Sequence, residues 1–404
     1  MSDTKQHFDV VIAGGGLSGV LSAISLAPLT KQDGSKLSIA IVENNALHDD
    51  VSLTFDSRVL ALSHGSVSYL QSLGVWQELG QNAAPINQIH ISDRGKYGKA
   101  RINADSHQVS ALGYVVEMSL LGKALLYCAA QFVNITWFCP DTITSVNWQV
   151  SHVDMLLASE QAISAQLLLA CDGAQSKCRQ YANIASSTKA YEQSALIVNV
   201  TMAKPHHHVA YERFTETGPI AMLPLTDGSQ NSHKCSVVWT VRPEQAQTLM
   251  SLSAAEFSHA LTNAFGRWLG TVDKVGQRVV YPLHLVRAKE QVFHRMVLVG
   301  NASHTIHPIA GQGFNLGLRD VAALSHMIAN QLADANDIGG FSNLAAYAEQ
   351  RARDHQSVID LTDSLVTLFS NELPPLVAGR NVGLKVLNYF TPLKNTFVNK
   401  TMGY

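Results

Sequence analysis

Short apolar runs rich in β-branched residues alternate with segments whose apolar residues recur at helical spacing. Residues 8–13 and 37–42 are predicted to be buried strands, and the segment between them keeps apolar positions every three or four residues as far as Pro28. Residues 166–170 and 296–299 are predicted to be two further buried strands. Because strands that alternate with helices are typical of a parallel sheet, the pattern predicts an α/β fold.

A different pattern fills residues 191–281, where short strands follow one another. The strands predicted in this block cover residues 195–202, 208–214, 220–225 and 235–241, and its one predicted helix covers residues 254–265. A run of strands with few helices is typical of a mostly antiparallel sheet. We expect this block to form a separate β-sheet unit that covers a substrate.

The remaining segments are predicted to connect these two parts. Helical spacing predicts helices at residues 66–79, 118–132, 314–332 and 341–369. Alternation predicts strands at residues 86–91 and 99–102, and a small antiparallel meander from residues 135–138, 142–148 and 153–157.

Two short helices are predicted beyond Pro374 and Pro375, at residues 376–389 and 393–402. Their apolar residues stand beside four basic ones, Arg380, Lys385, Lys394 and Lys400. Basic amphipathic helices suit a membrane surface or a partner protein. Docking of the same helices on the protein's own core explains the pattern equally well, so both interpretations stay open.

Composition narrows the class of protein. A chain of 404 residues with 46% hydrophobic residues can bury a large core, as two domains or one large α/β unit. A formal net charge of −2 provides no basic field for nucleic acid. The five cysteines are scattered without a C-x-x-C pair, which favours reduced thiols and a cytoplasmic protein. No apolar run approaches the roughly 20 residues that cross a bilayer, so any membrane contact is expected to be peripheral.

The first predicted strand leads into the sequence G-G-G-L-S-G at residues 14–19, which has the pattern G-x-G-x-x-G. Gly14 allows the tight turn, Gly16 lets a pyrophosphate approach the backbone, and Gly19 lets helix and strand pack closely. Glu43 ends the next strand, where a carboxylate can accept hydrogen bonds from an adenosine ribose. The segment therefore predicts a site for FAD or NAD rather than NADP.

Two other residues are candidates for the same ligand. Asp172-Gly173 follows the strand at residues 166–170, and open α/β sheets bind ligands where the carboxyl ends of their strands converge. Arg58 is placed to reach a pyrophosphate with two N–H groups. A solvated arginine is the alternative at this position.

The last predicted strand ends in Gly300-Asn301, and a glycine-rich turn with Pro308, Gly311, Gln312 and Gly313 then enters a helix. Glycines remove side chains, so a flat or anionic ligand can lie against bare N–H groups aimed by the helix dipole. The turn therefore predicts a place for an electron-rich ring or a phosphate.

Together the motifs resemble the class A flavoprotein monooxygenases, the para-hydroxybenzoate hydroxylase group, whose fingerprints are G-x-G-x-x-G, D-G and G-D. Within this group the chain is most similar to the ubiquinone-biosynthesis hydroxylases. The matching segments are D-S-R-V-L-A-L-S at residues 56–63, M-L-P-L at 222–225, H-P-I-A-G-Q-G-F-N-L-G at 307–317 and T-D-S-L at 362–365. Gly300-Asn301 replaces the usual Gly-Asp, a form typical of the 2-polyprenyl-6-methoxyphenol hydroxylase branch.

The resemblance implies an α/β fold, with a Rossmann-like FAD-binding domain, an inserted and mostly antiparallel β-sheet substrate domain, and C-terminal helices. The FAD-binding domain is expected from residues 1–70, 98–185 and 283–345, the substrate domain from residues 71–97 and 186–282, and the helical region from residues 346–404.

The resemblance also implies extended FAD. Its adenosine would lie at Gly14, Gly16, Gly19 and Glu43, its pyrophosphate near Arg58 and Asp172-Gly173, its ribityl chain at Asn301, and its isoalloxazine over Pro308, Gly311, Gln312 and Gly313. NAD(P)H and O2 would be co-substrates, and a flavin C4a-hydroperoxide would hydroxylate a prenylated methoxyphenol of ubiquinone biosynthesis.

No protein nucleophile and no metal ion are expected, since the flavin would carry the chemistry. His304, His307 and Tyr281 are candidates for helping phenol deprotonation, with structural roles as the alternative. Three alternatives for the function stay open: another aromatic-ring hydroxylase of the same family, a non-oxygenating flavoprotein, or a scaffold subunit of a quinone-biosynthesis complex.

The expected associations are peripheral contact with the inner membrane, a quinone-biosynthesis complex, or a homo-oligomer. No binding of nucleic acid is expected.

Overall fold

The computed structural model describes residues 5–46, 58–229 and 231–369, together with Asn388 and Met402. Its strands are β1 (Gln6–Ala13), β2 (Ile39–Val42), β3 (Val59–Ser63), β4 (Ala84–Ile86), β5 (Gln88–Asp93), β6 (Lys99–Asn103), β7 (Gly113–Glu117), β8 (Ile135–Phe138), β9 (Ile143–Trp148), β10 (Val153–Leu157), β11 (Ala162–Ala170), β12 (Ser186–Met202), β13 (Val209–Thr215), β14 (Gly218–Pro224), β15 (Lys234–Val241), β16 (Val272–Val275), β17 (Val279–Ala288), β18 (Val292–Phe293), β19 (Met296–Leu298) and β20 (His304–Thr305). Its helices are α1 (Leu17–Leu26), α2 (His64–Ser72), α3 (Val75–Leu79), α4 (Met118–Ala129), α5 (Lys177–Tyr181), α6 (Pro243–Ser251), α7 (Ala254–Phe265), α8 (Gln312–Ala333) and α9 (Phe341–Phe369).

The described residues contain a sheet with the order β18-β19-β11-β1-β2-β8, in which the five strands from β19 to β8 run parallel. Strands β10 and β9 extend it in the antiparallel sense from β11. Apolar side chains are buried on both of its faces, as a central sheet in an α/β fold requires. The predicted α/β class is confirmed.

A second sheet has the order β20-β17-β12-β15-β14-β13-β5-β6, with β16 paired to β12. Its described pairs are antiparallel except β13 with β5. Helices α6 and α7 pack on one face through Leu249, Phe257, Leu261 and Phe265. The predicted antiparallel insert is therefore present.

Strand pairing corrects three predictions from the sequence. β8 pairs with β2 in parallel and is not part of an antiparallel meander. β6 pairs with β5 in the second sheet, although residues 98–103 were assigned to the FAD-binding unit. Residues 71–83 were assigned to the substrate domain, yet Val75, Leu79 and Ala83 pack in the core beside the first sheet. The pairing of β8 with β2, and the pairing of the β5–β6 hairpin with β13, join residues distant in sequence, so local pattern carries no signal for them.

Helix α9 has the predicted bounds. The two short helices predicted after it, with their basic residues, lie outside the described residues except for Asn388 and Met402. In the part of the chain that the structure describes, no helix combines the length and the apolar character needed to cross a membrane.

Helices α8 and α9 are held together by a buried ionic cluster around Asp320, which has no exposed surface. One oxygen of Asp320 accepts hydrogen bonds from Arg351 Nε and from His355 Nε2, each at 2.7 Å. Burial alone would raise the pKa of Asp320, but the hydrogen bond from His355 and the positive charge of Arg351 are among the interactions that lower it to about 2. The carboxylate is therefore ionised and bound by Arg351 and His355 in the folded state.

We predict that Asp320→Asn lowers the free energy of unfolding by about 3 kcal/mol, because it removes the buried anion of Arg351 and leaves only the partly exposed Asp354 to pair with that guanidinium. Since the pKa of Asp320 is depressed on folding, its contribution is present above the unfolded pKa of about 3.9 and is lost as the pH falls toward 2. Urea unfolding between pH 7 and pH 3 measures both effects. The matched control is Asp360→Asn, on an exposed position of α9, and an equal loss in both variants would contradict the prediction.

Candidate active site

A cavity of about 680 Å³ lies between the turns at the carboxyl ends of the first sheet and one face of the second sheet. The glycine-rich turn after β1, the Asp172-Gly173 turn after β11 and the turn after β19 all reach its wall. Of the residues predicted to bind cofactor, those that line it are Gly16, Arg58, Gly173, Asn301, Pro308, Gly311, Gln312 and Gly313. The structure therefore brings the three sequence motifs to one cavity, as their positions at parallel strand ends require.

The N-terminus of α1 opens directly on this cavity. Gly16 is the N-cap residue, and no side chain of the described residues hydrogen-bonds the cap. A Cβ atom added at Gly16 would meet no described atom within 4 Å. The backbone amides of this turn are therefore accessible to an anion, which a helix N-terminus favours.

Gly14 and Gly19 have a different role, because they do not line the cavity. Gly14 has a φ of +98°, and a Cβ there would lie 2.6 Å from the carbonyl oxygen of Cys171. A Cβ at Gly19 would overlap the carbonyl oxygen of Gly14. These two glycines bring β1, β11 and α1 into close contact, which places Gly16 at the cavity wall.

Glu43 is buried behind the turn and does not line the cavity. One carboxylate oxygen accepts a hydrogen bond from the Gly15 amide at 2.6 Å, and the other accepts bonds from the Asn45 amide at 2.8 Å and its side chain at 3.0 Å. Glu43 therefore fixes the turn at Gly15 in this structure. Its bond to an adenosine ribose stays a prediction.

The N-terminus of α8 also opens on the cavity. Its N-cap residue Gly311 has a φ of +62°, and the described residues provide neither a side-chain cap nor an acid in the first turn. The amides at the start of this 22-residue helix are therefore oriented toward the cavity with the positive end of the helix dipole.

Asn315 holds this helix start in place, although sequence reasoning gave it no separate role. Its side-chain oxygen accepts hydrogen bonds from the Ser63 amide at 2.9 Å and from Ser66 Oγ at 2.7 Å. Its side-chain nitrogen donates to the carbonyls of Ala61 and Gly311, at 2.8 and 2.7 Å. A fully satisfied amide thus joins β3 to the first turn of α8.

The Asp172-Gly173 turn is tied to the third motif by Arg179. The buried Arg179 guanidinium donates to the carbonyls of Ala302 and Ala174, at 2.8 and 2.9 Å. The Arg179 guanidinium therefore binds backbone carbonyls in both turns. Asp172 Oδ2 accepts a bond from the Cys178 amide at 3.0 Å, whereas its buried Oδ1 has no partner among the described residues.

Arg58 and Asn301 contribute polar side chains to the cavity wall. The Arg58 guanidinium lies over the ring of Tyr281, 4.8 Å from its centroid, which orients the long side chain. Asn301 is exposed, and its amide has no hydrogen-bond partner among the described residues. Both groups are positioned to bind a polar ligand.

The three residues considered for phenol deprotonation do not line the cavity. His304 and His307 are each 1% exposed, and burial lowers the pKa of each to about 4. Both are therefore neutral at pH 7, and His307 Nδ1 accepts a bond from the Ile309 amide at 3.2 Å. Tyr281 supports Arg58 instead. These positions favour structural roles, and a catalytic role for them stays a prediction.

Glu212 is a cavity-lining residue that the sequence analysis did not identify. It stands in the middle of β13 between Ala210 and Phe214, which line the same cavity. A single acid among alternating apolar positions predicts a solvent-facing side chain in an isolated strand. The turn before α8 and helix α9 contribute Ile309 and Leu365 to the cavity that Glu212 lines, so the enclosure of Glu212 depends on contacts distant in sequence.

The described residues contain one group with metal-ligand geometry, His304, Asp320 and His355, whose ligand atoms lie within 4.8 Å of one another. The Arg351 guanidinium already supplies a cation to Asp320 at 2.7 Å. A metal ion at this position would face that charge, so the geometry offers it no support. The absence of a metal from the reaction stays a prediction.

Comparison with known proteins identifies the family to which this chain is similar. The family model described as FAD binding domain matches residues 7–362. The ubiquinone hydroxylase UbiL of Rhodospirillum rubrum is 33% identical over 400 residues, which cover 98% of this chain and 89% of that protein. A mitochondrial ubiquinone biosynthesis monooxygenase of Homo sapiens is 29% identical over 444 residues, which cover 97% of this chain and 92% of that protein.

The solved structures with the same architecture include p-nitrophenol 4-monooxygenase PnpA from Pseudomonas putida DLL-E4. It superposes with a TM-score of 0.78 at 17% identity, over 98% of this chain and 99% of that chain. PqsL of Pseudomonas aeruginosa, in complex with 2-aminobenzoylacetate, has a TM-score of 0.76 at 19% identity, over 94% and 100% of the two chains. At such identities the likeness shows the fold alone.

We predict that Gly16→Asp folds but lowers the FAD content of the purified protein by about tenfold or more, because like charges brought together at an interface cost several kcal/mol. The space around Gly16 accommodates a side chain in the protein itself. FAD content is measured by absorbance, and folding by thermal unfolding of both apoproteins. The control is Ser68→Asp, which adds the same charge on an exposed face of α2. Undiminished FAD in Gly16→Asp would overturn the assignment of this turn.

Proposed function

We propose that this chain, which belongs to the FAD-dependent hydroxylases of ubiquinone biosynthesis, hydroxylates the ring of a prenylated methoxyphenol with NAD(P)H and O2 as co-substrates. One observation carries the choice of substrate class: the cavity that receives the three cofactor motifs continues along an apolar face of the second sheet. A ring with a long hydrocarbon tail needs both parts of such a cavity.

The apolar face supports a prenyl tail. Residues from β5, β6, β13 and β14 form this part of the wall: Ile89, Ile91, Ile102, Ala210 and Leu223. Ile86 of β4, which belongs to a three-stranded sheet with the order β3-β7-β4, lines the same cavity. Each CH₂ group of a tail that leaves water for such a surface contributes about 0.8 kcal/mol. Several isoprene units would therefore bind without any hydrogen bond, and Met402 lines the same cavity.

The polar end of the cavity fits FAD. Bare amides at the starts of α1 and α8 and free space at Gly16 are the features that a dinucleotide would satisfy. In this proposal the α1 turn and Arg58 hold the pyrophosphate, and Asn301 donates to or accepts from a ribityl hydroxyl. Bound FAD would supply the chemistry that takes electrons from NAD(P)H and activates O2.

The chain's own contribution to the reaction is electrostatic and steric. Amides at the start of α8 would stabilise negative charge on a ring held over Pro308, Gly311, Gln312 and Gly313, since the helix dipole is positive there. The apolar sheet face would exclude water from the reacting atoms. Asn315 keeps the helix start fixed against β3, so these dipoles are oriented before substrate binds.

Substrate-stimulated oxidation tests the proposal. We expect the FAD-loaded protein to oxidise NADH or NADPH faster when a short-chain prenyl-methoxyphenol is added, and to form a product heavier by one oxygen atom. Mass spectrometry identifies the product, and Gly16→Asp, expected to lack FAD, is the control. Stimulation by a different aromatic ring only would reassign the substrate. Oxidation of NADH or NADPH without an oxygenated product would indicate a non-oxygenating flavoprotein. No oxidation of either nicotinamide would indicate a scaffold subunit.

A further inference from the structure

Glu212 lies on a row of residues that crosses the second sheet at the cavity. In register, Glu212 of β13 pairs with Ile91 of β5 on one side and with Ala221 of β14 on the other. The row continues from Ala221 to Val238 of β15 and then to Ile197 of β12. All five residues line the cavity. Glu212 is therefore an acid in a row whose other members are apolar.

No described residue neutralises this acid. Glu212 has no hydrogen bond or ion pair within the described part of the chain. It is also the only carboxylate among the described residues that line the cavity. An unpartnered carboxylate in apolar surroundings costs stability, so its presence in the wall indicates a ligand that hydrogen-bonds it.

The other walls near Glu212 bring no charge to it. β5 and β14 present Ile91 and Ala221 beside it, and the turn before α8 and helix α9 contribute Ile309 and Leu365 to the same cavity. The remaining ionisable groups that line the cavity are Arg58, Cys171 and Tyr211. Burial raises the pKa of Glu212 to about 7, and no neighbouring charge contributes to that shift.

We propose that the Glu212 carboxylate accepts the hydrogen bond of the substrate's phenolic hydroxyl and takes its proton as the ring reacts. This inference rests on the proposed function, since it requires a phenol in the cavity. The phenol O–H bond breaks, its electron pair stays on the phenolate oxygen, and the proton forms an O–H bond with the carboxylate. No electrons are gained or lost in this step. The phenolate ring is more electron-rich than the phenol and reacts more readily with an electrophilic oxygen.

A group with a pKa near the operating pH suits this task, because it is largely ionised before the reaction and still basic enough to bind a proton. The apolar wall that raises the pKa of Glu212 would also hold the aromatic ring beside it. His304 and His307, the candidates from the sequence, are enclosed away from the cavity. The geometry thus moves the assignment from the histidines after β19 to Glu212 of β13.

The experiment compares Glu212→Gln with Glu216→Gln in the FAD-loaded full-length protein. Glu216 is exposed in the β13–β14 turn, so the same chemical change is made outside the cavity. General-base catalysis contributes about 10²–10⁴-fold, so we expect kcat/KM for hydroxylation to fall at least about 100-fold in Glu212→Gln. We expect wild-type kcat/KM to fall as the pH drops below about 7 and the carboxylate protonates, and this dependence to disappear in the variant. Glu216→Gln should match wild type.

Glu212→Asp and thermal unfolding separate catalysis from folding. Glu212→Asp, which keeps a carboxylate, should retain part of the hydroxylation activity that Glu212→Gln loses, together with the pH dependence of that activity. Glu212→Gln should retain FAD and unfold at a temperature equal to or higher than wild type, because it removes a half-buried charge from apolar surroundings. The raised pKa means that the wild-type protein loses stability as the pH rises from about 4.5 to about 7, and the variant should lack this loss. Activity within twofold of wild type with an unchanged pH profile would overturn the proposal.

A binding measurement keeps the inference distinct from the proposed function. If the wild-type protein hydroxylates no prenyl-methoxyphenol, the proposed function fails, and Glu212 is tested by binding alone. Simple phenols and their methyl ethers are titrated into the FAD-loaded protein, and flavin absorbance reports binding. If the wild-type protein binds the phenol more tightly than its methyl ether and Glu212→Leu does not, the carboxylate accepts the hydrogen bond of the phenolic hydroxyl. If both proteins show the same preference for the phenol, the proposed role of Glu212 is overturned.

Discussion

The close approach of α1 and α8 to the strands that precede them is the constraint on which this site depends. A Cβ at Gly300 would lie 2.7 Å from Ser18 Oγ, and a Cβ at Gly317 would lie 3.2 Å from the Gly300 Cα. Side chains at these positions would push the two helix starts apart. With glycine there, both N-termini end at one cavity with bare amides, so one ligand can contact both helix dipoles.

The sequence predicted this part of the fold well, because its signals are local. Glycines at fixed spacing, the strands before them and the apolar periodicity of α1 and α8 all lie within short segments. The sheet to which β6 belongs and the partner of β8 could not be predicted in this way, since the β5–β6 hairpin joins its sheet through β13 and β8 joins through β2, both distant in sequence. The role of Asn315 was missed for the same reason, because its side chain accepts a hydrogen bond from the distant Ser63 amide.

The fold shifts the pKa values of the two carboxyl groups of Asp320 and Glu212 in opposite directions. Asp320 is bound by Arg351 and His355, and its pKa falls to about 2, so its charge stabilises the packing of α8 on α9. Glu212 has no such partner, and burial alone raises its pKa to about 7. The first arrangement contributes to folding, whereas the second costs stability and leaves a proton acceptor facing the ligand.

A crystal structure of the FAD complex with a short-chain prenyl-methoxyphenol tests most directly whether one cavity holds cofactor and substrate together. The account predicts the isoalloxazine against Pro308, Gly311, Gln312 and Gly313, the phenolic oxygen within hydrogen-bond distance of Glu212, and the tail along Ile89 and Leu223. A flavin bound away from the start of α8, or a phenol ring bound outside this cavity, would contradict it.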